Sequence, residues 1–162
     1  MVARLTALSL LLAVPAGAGD TLPPDPGAAG KATLEGIDSD GDGVRDDIQR
    51  YIALTYPDSR KVRLALTTLA ITQQDALRDA GDKAASINHA RRQHRALECL
   101  EFLRGYDSMQ LWKPLLARIF NTKLRSRAYV AYNRQLAGQV FVATPRAKLK
   151  TACTFDPDQV EN

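Results

Sequence analysis

The sequence predicts an all-α fold, a small bundle of about five short helices preceded by a single aspartate-rich loop. Three observations lead there. Apolar residues recur at helical spacing in five successive stretches between residues 44 and 136. Capping residues and breakers (Pro57, Ser59, Gly81, Asp82, Gly105, Thr122, Gly138) fall between those stretches. β-Branched residues cluster only in Gln139 to Ala143 (QVFVA), which is too little for a sheet. A chain of 162 residues with 45% hydrophobic and 25% charged residues is long enough to bury one core and is neither disordered nor membranous in composition. It contains no internal repeat.

Along the chain, residues 1–18 read as a signal peptide. Arg4 gives a positive start, Leu5 to Val14 form an apolar run, Pro15 breaks it, and Ala16-Gly17-Ala18 offers small residues for cleavage after Ala18. A membrane anchor would need about 20 apolar residues, twice this run, and no cysteine near the cut could accept a lipid. The expected location is periplasmic or secreted, with no transmembrane segment. Residues 19–33 are rich in proline and glycine, which oppose regular helix, and read as a flexible linker.

Residues 34–56 hold the loop and the first helix. Asp38, Asp40 and Asp42 occupy alternate positions, one, three and five, and Gly43 stands at six, where a sharp bend is needed. Val44 at seven can offer its backbone carbonyl, and Asp46 at nine can reach a shared centre directly or through water. Such a set of hard oxygens suits calcium. A helix-capping turn could use two or three of the acids, at about 0.3–1 kcal/mol each. It leaves the mutual repulsion of five carboxylates in ten residues uncompensated; magnesium is the other hard cation to consider. DSDGDGVRDD resembles EF-hand-like DxDxDG loops, and is most similar to the thrombospondin type 3 and dockerin versions. The resemblance covers residues 38–49. It implies a calcium site formed by Asp38, Asp40, Asp42, Val44, Asp46 and Gln49. The sequence departs from the pattern at position twelve, where Gln49 replaces a bidentate glutamate, and in lacking an entering helix. Both departures suit a structural site of modest affinity, about 10⁻⁴–10⁻³ M as in extracellular modules. The layout as a whole resembles small exported proteobacterial proteins of unknown function, which implies no activity.

The helical body, residues 57–162, follows. A first helix is expected from Val44 to Tyr56, with Ile48, Tyr51 and Ile52 inward and Pro57 as its stop. Ser59 caps a second helix bearing Val62, Leu66, Leu69 and Ala70 and running to Gly81. Asp82 opens a third, with Ile87, Ala90, Leu97, Leu100 and Leu103 inward, ended by Gly105. Ser108 starts a fourth, carrying Trp112, Leu115, Leu116, Ile119 and Phe120; Pro114 is tolerable only near its beginning. Thr122 caps a fifth, where Leu124, Ala128, Tyr132 and Leu136 recur before Gly138. Cys99 and Cys153 form the one possible pair, and in an exported protein such a pair is usually a disulfide. Closing a loop of about 55 residues would be worth ~4 kcal/mol in the chain-entropy model. The alternative is one buried and one free thiol.

The formal net charge is +4. Setting aside Arg4 with the leader, and Arg45 with the five loop acids, leaves 20 bases against 13 acids. An acidic loop thus adjoins a basic body. His89 and His94 are five apart, on different helical faces, which spoils a shared zinc site. HARRQHR (89–95) reads as a solvated basic face, or as a contact for an anionic or protein partner. KLRSR (123–127) extends it. Nucleic acid is not expected without groove-reading or stacking elements. Glu98 and Glu101 read as surface charge. Asp156-Pro157-Asp158 reads as a polar tail. No catalytic residue stands out. Two functions of different class remain: an exported calcium-binding module whose ion braces a helical binding surface, and a secreted enzyme with structural calcium and a site assembled from scattered residues.

Overall fold

The computed structural model describes residues 22–162; the expected signal peptide and residues 19–21 of the expected linker lie outside the described residues. Five α-helices form among them: α1 (Asp46–Thr55), α2 (Arg60–Arg78), α3 (Lys83–Arg104), α4 (Ser108–Ile119) and α5 (Lys123–Gln135). Short 3₁₀ turns occupy Ala29–Lys31, Gly105–Asp107 and Arg146–Ala152, and no strand forms among the described residues. Three helices begin on the side-chain oxygen the sequence supplies. Ser59 accepts the N–H of Val62, Asp82 that of Ala85, and Thr122 that of Arg125, each satisfying a donor that has no partner inside its helix. Gly105, with φ at 56°, turns the chain out of α3 in a conformation a side chain would strain.

Two boundaries differ from expectation. α1 begins at Asp46 rather than Val44, because Arg45 is in a non-helical conformation (φ −58°, ψ 141°) and Val44 is committed elsewhere, its side chain wholly buried in the core. Pro114 lies in the middle of α4 rather than near its start. Both Pro114 and Gln110, whose carbonyl loses its helical donor there, are exposed, so water can replace the missing bond.

The helices bury one principal core. Val44, Ile48 and Ile52 meet Val62, Leu66, Leu69 and Ala70 of α2, Ala96, Cys99 and Leu100 of α3, and Leu111, Leu115 and Ile119 of α4. Each of the fully buried leucines contributes about 1.5–3 kcal/mol of transfer free energy. α2 and α3, joined by four residues, form the central hairpin on which the rest packs. A second, smaller cluster gathers Ala76, Ala80, Ala90 and Tyr132, with Phe141 against it. There the Tyr132 hydroxyl donates to Gln93 (2.9 Å), and burial raises its pKa to about 12. No described helix is long and apolar enough to cross a membrane.

α5 rotates against its sequence pattern. Leu124 is half exposed, while Arg125 is fully buried. The Arg125 guanidinium donates to the carbonyls of Gly30 (2.6 Å), Thr33 (3.2 Å) and Leu34 (3.0 Å) and to Asn121 Oδ1 (2.7 Å). Burial, and then the neighbouring Arg45, lower its pKa. Residues 22–33, the described part of the stretch 19–33 that composition reads as a flexible linker, are therefore tied to the body together with Leu34, with Arg50 also donating to the Pro23 carbonyl (2.7 Å). At the other end Cys99 and Cys153 are joined in a disulfide that pins residues 146–153 on α3.

Candidate metal centre

The acidic loop is shaped from inside by its own carboxylates. Asp38 Oδ1 accepts the N–H of Gly41 (2.8 Å) and its Oδ2 that of Gly43 (3.0 Å). Asp42 Oδ1 accepts the N–H of Val44 (2.7 Å). The bend needs two left-handed residues, Gly41 (φ 72°) and Gly43 (φ 88°), and the sequence has glycine at both. The outcome is a cluster: one oxygen from each of Asp38, Asp40 and Asp42 lies within 4.8 Å of the others. All three residues are exposed.

These charges do not sit together comfortably. Partial burial, followed by repulsion from Asp40, Asp38 and Asp46, raises the pKa of Asp42. Asp40 is lowered, chiefly by the hydrogen bond that the Gln49 amide donates to its Oδ2 (3.0 Å). Gln49, expected to offer oxygen, thus presents nitrogen to Asp40, and its Oε1 is buried without a partner. A half-turn about the terminal bond exchanges the two atoms.

Asp46, the other expected carboxylate, stands outside the trio. It is 1% exposed, and its Oδ1 accepts the N–H of Ser39 (2.8 Å) while its own N–H donates to the Ile37 carbonyl (2.8 Å). Its Oδ2 is a buried carboxylate oxygen with no partner, an arrangement that is costly unless a cation or water meets it. The Val44 side chain is fully buried, and its carbonyl accepts no hydrogen bond among the described residues.

Beneath the loop, two residues unmarked by the motif fix it to the bundle. Gln74 of α2 accepts the N–H of Arg45 (3.2 Å) and donates to the Gly43 carbonyl (2.9 Å), bracketing Val44. Arg45 is 1% exposed; it pairs with Asp47 (2.8 and 3.0 Å) and donates to the carbonyls of Ile119 (3.1 Å) and Arg118 (3.2 Å). A loop residue therefore caps the C-terminus of α4, where carbonyls lack helical donors and positive charge is favoured. A long polar side chain next to a buried loop valine was the only available signal, and it is weak.

The other titratable groups are placed elsewhere. His89 meets Asp79 (2.8 Å), and His94 lies 3.1 Å from Glu98. Glu98 is not surface charge: it is 5% exposed, because both its oxygens accept from Thr144, the backbone N–H at 2.5 Å and the hydroxyl at 2.8 Å. Asp156 and Asp158 pair with Lys150 of the same tail.

Fold and site together define an all-α bundle, closed by a disulfide, that carries a carboxylate cluster able to hold a metal ion. Compared with known proteins, the chain matches no protein-family model, no curated protein and no solved structure.

Proposed function

We propose that this chain is an exported calcium-binding protein in which the ion structurally braces a helical binding module. The ligands would be the carboxylates of Asp38, Asp40, Asp42 and Asp46, the Val44 carbonyl and the Gln49 amide oxygen. The observation that carries the reading is the convergence of three carboxylates within 4.8 Å. Beside them lie two buried oxygens without partners, Asp46 Oδ2 and Gln49 Oε1. Repulsion in such a group is relieved by a hard cation, and six oxygens reach the lower limit of calcium coordination. Export is supported by the leader-like N-terminus and by the disulfide, a bond that persists in oxidising compartments. The bracing role is supported by Arg45 and Gln74, which couple the loop to α4 and α2.

The test is a thermal melt of residues 19–162 in excess chelator and in ~1 mM calcium or magnesium, beside an Asp40→Ala/Asp42→Ala double variant. At the expected affinity calcium adds ~0.4–1.4 kcal/mol, a rise of roughly 1–5 °C in midpoint for a chain of this size. The rise should occur in the wild type alone and be larger for calcium than for magnesium. An unmoved wild type, or equal shifts in both proteins, overturns the metal reading.

A further inference from the structure

Between the end of α5 and the last 3₁₀ turn, residues 140–143 form no regular structure. None of their backbone N–H or C=O groups makes a hydrogen bond among the described residues. Val140 and Val142 are 87% and 88% exposed, whereas Phe141 between them is half-buried against the Ala76–Ala80–Ala90–Tyr132 cluster. Out, in, out over residues 140–142 matches the alternation of extended chain, and the flanking Gln139 and Ala143 are exposed as well. The segment is also held at three points. Gln139 closes a turn on the Leu136 carbonyl (3.0 Å), Phe141 is anchored, and Thr144 is gripped by both oxygens of Glu98. It is an irregular segment with an unpaired backbone, fixed in place before any partner arrives.

Between this segment and α3 lies a cavity of about 360 Å³, walled on one side by Val140, Phe141 and Val142 and on the other by Arg91, His94 and Arg95. Its field is positive. Two arginines outweigh the single carboxylate of Glu98, which also lines the cavity with His94 3.1 Å away; Arg91 has no ion-pair partner among the described residues, and Arg95 reaches only the Thr151 carbonyl. Arg146 and Lys148, both exposed, follow directly in the chain.

We propose that residues 139–143 receive an extended, acidic segment of a partner polypeptide by strand addition. The partner backbone would pair with residues 140–143, and its carboxylates would meet Arg91 and Arg95. An extended peptide backbone can replace water on several consecutive exposed peptide groups at once, and the exposed valines supply apolar side-chain contacts to it. Charge complementarity selects the occupant. A second copy pairing through the same strand would bring two sets of arginines together, which like-charge repulsion opposes. Because the segment is pinned beforehand, binding needs little further ordering. This inference is independent of the metal reading.

The experiment uses residues 19–162 with the disulfide intact and a labelled peptide of alternating valine and threonine ending in two glutamates, read by fluorescence anisotropy. A matching peptide ending in two lysines is the control. The acidic peptide should bind about tenfold more tightly than the control. Val142→Pro, which removes one backbone donor at an exposed position, should weaken binding about tenfold with the melting point unchanged. Arg91→Glu should reverse the preference between the peptides. Equal binding of both peptides, or indifference to Val142→Pro, overturns the proposal. So does a wild type that doubles in mass with concentration while Val142→Pro stays monomeric, since that assigns the strand to a second copy.

Discussion

Residues 22–45 and residues 136–162 both lie largely outside α-helix, both are irregular in composition, and they are fastened to the same bundle by different chemistry. The first segment brings carbonyls to the bundle, and arginines from α1, α5 and the loop donate to them or lie beside them: Arg50 to Pro23, Arg125 to Gly30, Thr33 and Leu34, and Arg45 close under Gly36. The second is held by the Cys99–Cys153 bond and by the grip of Glu98 on Thr144. A guanidinium offers five donors in a rigid fork and can satisfy several carbonyls at once, but it does so only in the folded state. A disulfide acts chiefly by restricting the unfolded chain. The two ends should therefore loosen separately, and regional amide exchange can read each one.

The largest expected effect is at the C-terminal end. Cys99→Ala/Cys153→Ala opens a loop closed across a sequence separation of 54 and should cost ~4 kcal/mol by urea denaturation. Exchange should quicken at residues 144–153 and remain slow around Arg45. At the N-terminal end, Arg125→Ala leaves three carbonyls and Asn121 without their donor. It should cost ~3 kcal/mol and expose residues 22–36 to proteolysis while the tail stays protected. Arg125→Lys should rescue little of this, because a compact ammonium cannot reach acceptors spread along a fork. If either variant loosened both ends together, the two fastenings would be one cooperative unit.

Gly36→Ala is a finer probe of the same end. Gly36 has φ at 75°, and a Cβ there would lie 2.6 Å from Arg45 Cδ and 2.8 Å from Arg125 Nη2. The left-handed conformation alone costs an alanine about 1–2 kcal/mol, and displacing two buried guanidiniums adds to it. A loss of ~2 kcal/mol by denaturation, smaller than for Arg125→Ala, is expected. An unchanged midpoint would mean that the arginines are not held where Gly36 meets them.

Much of this was legible in the sequence because the information is local. Ser59, Asp82 and Thr122 cap helices through side chains three residues from their partners, and the aspartates at 38, 40 and 42 converge because their spacing and two glycines require it. Of the fastenings, the Cys99–Cys153 bond is legible because the chain has one possible cysteine pair; the arginine and Glu98 contacts are not, because they join residues remote in sequence with no such pairing chemistry. Arg125 and Gly30 are 95 positions apart. Hydropathy periodicity sends a charged residue outward and so places Leu124 in the core and Arg125 at the surface, the reverse of what forms. The carbonyls of a proline- and glycine-rich segment need donors when that segment lies against a bundle, and only a long cation can supply several. Glu98 reads as surface charge for the same reason: its partner, Thr144, is 46 residues away.

The smallest effect, and the one that bears most directly on the loop, concerns Gln49→Glu. In chelator, the change removes the amide donor that holds Asp40 below its ordinary pKa of 3.8 and sets a further carboxylate beside it. The Asp40–Gln49 contact contributes stability that is present above 3.8 and lost as pH falls through the lower folded value. The like-charge pair in the variant works in the opposite sense: folded pKa values are raised, so stability returns on acidification. The chelated variant should therefore melt below the wild type near pH 7, and the deficit should shrink as pH falls through the carboxylate range. With calcium the order should reverse, since a charged, bidentate ligand replaces a neutral one, and affinity should rise about tenfold. Melting points that moved in the same direction under chelator and under calcium would place Gln49 outside the coordination sphere and leave it as a brace for Asp40 alone.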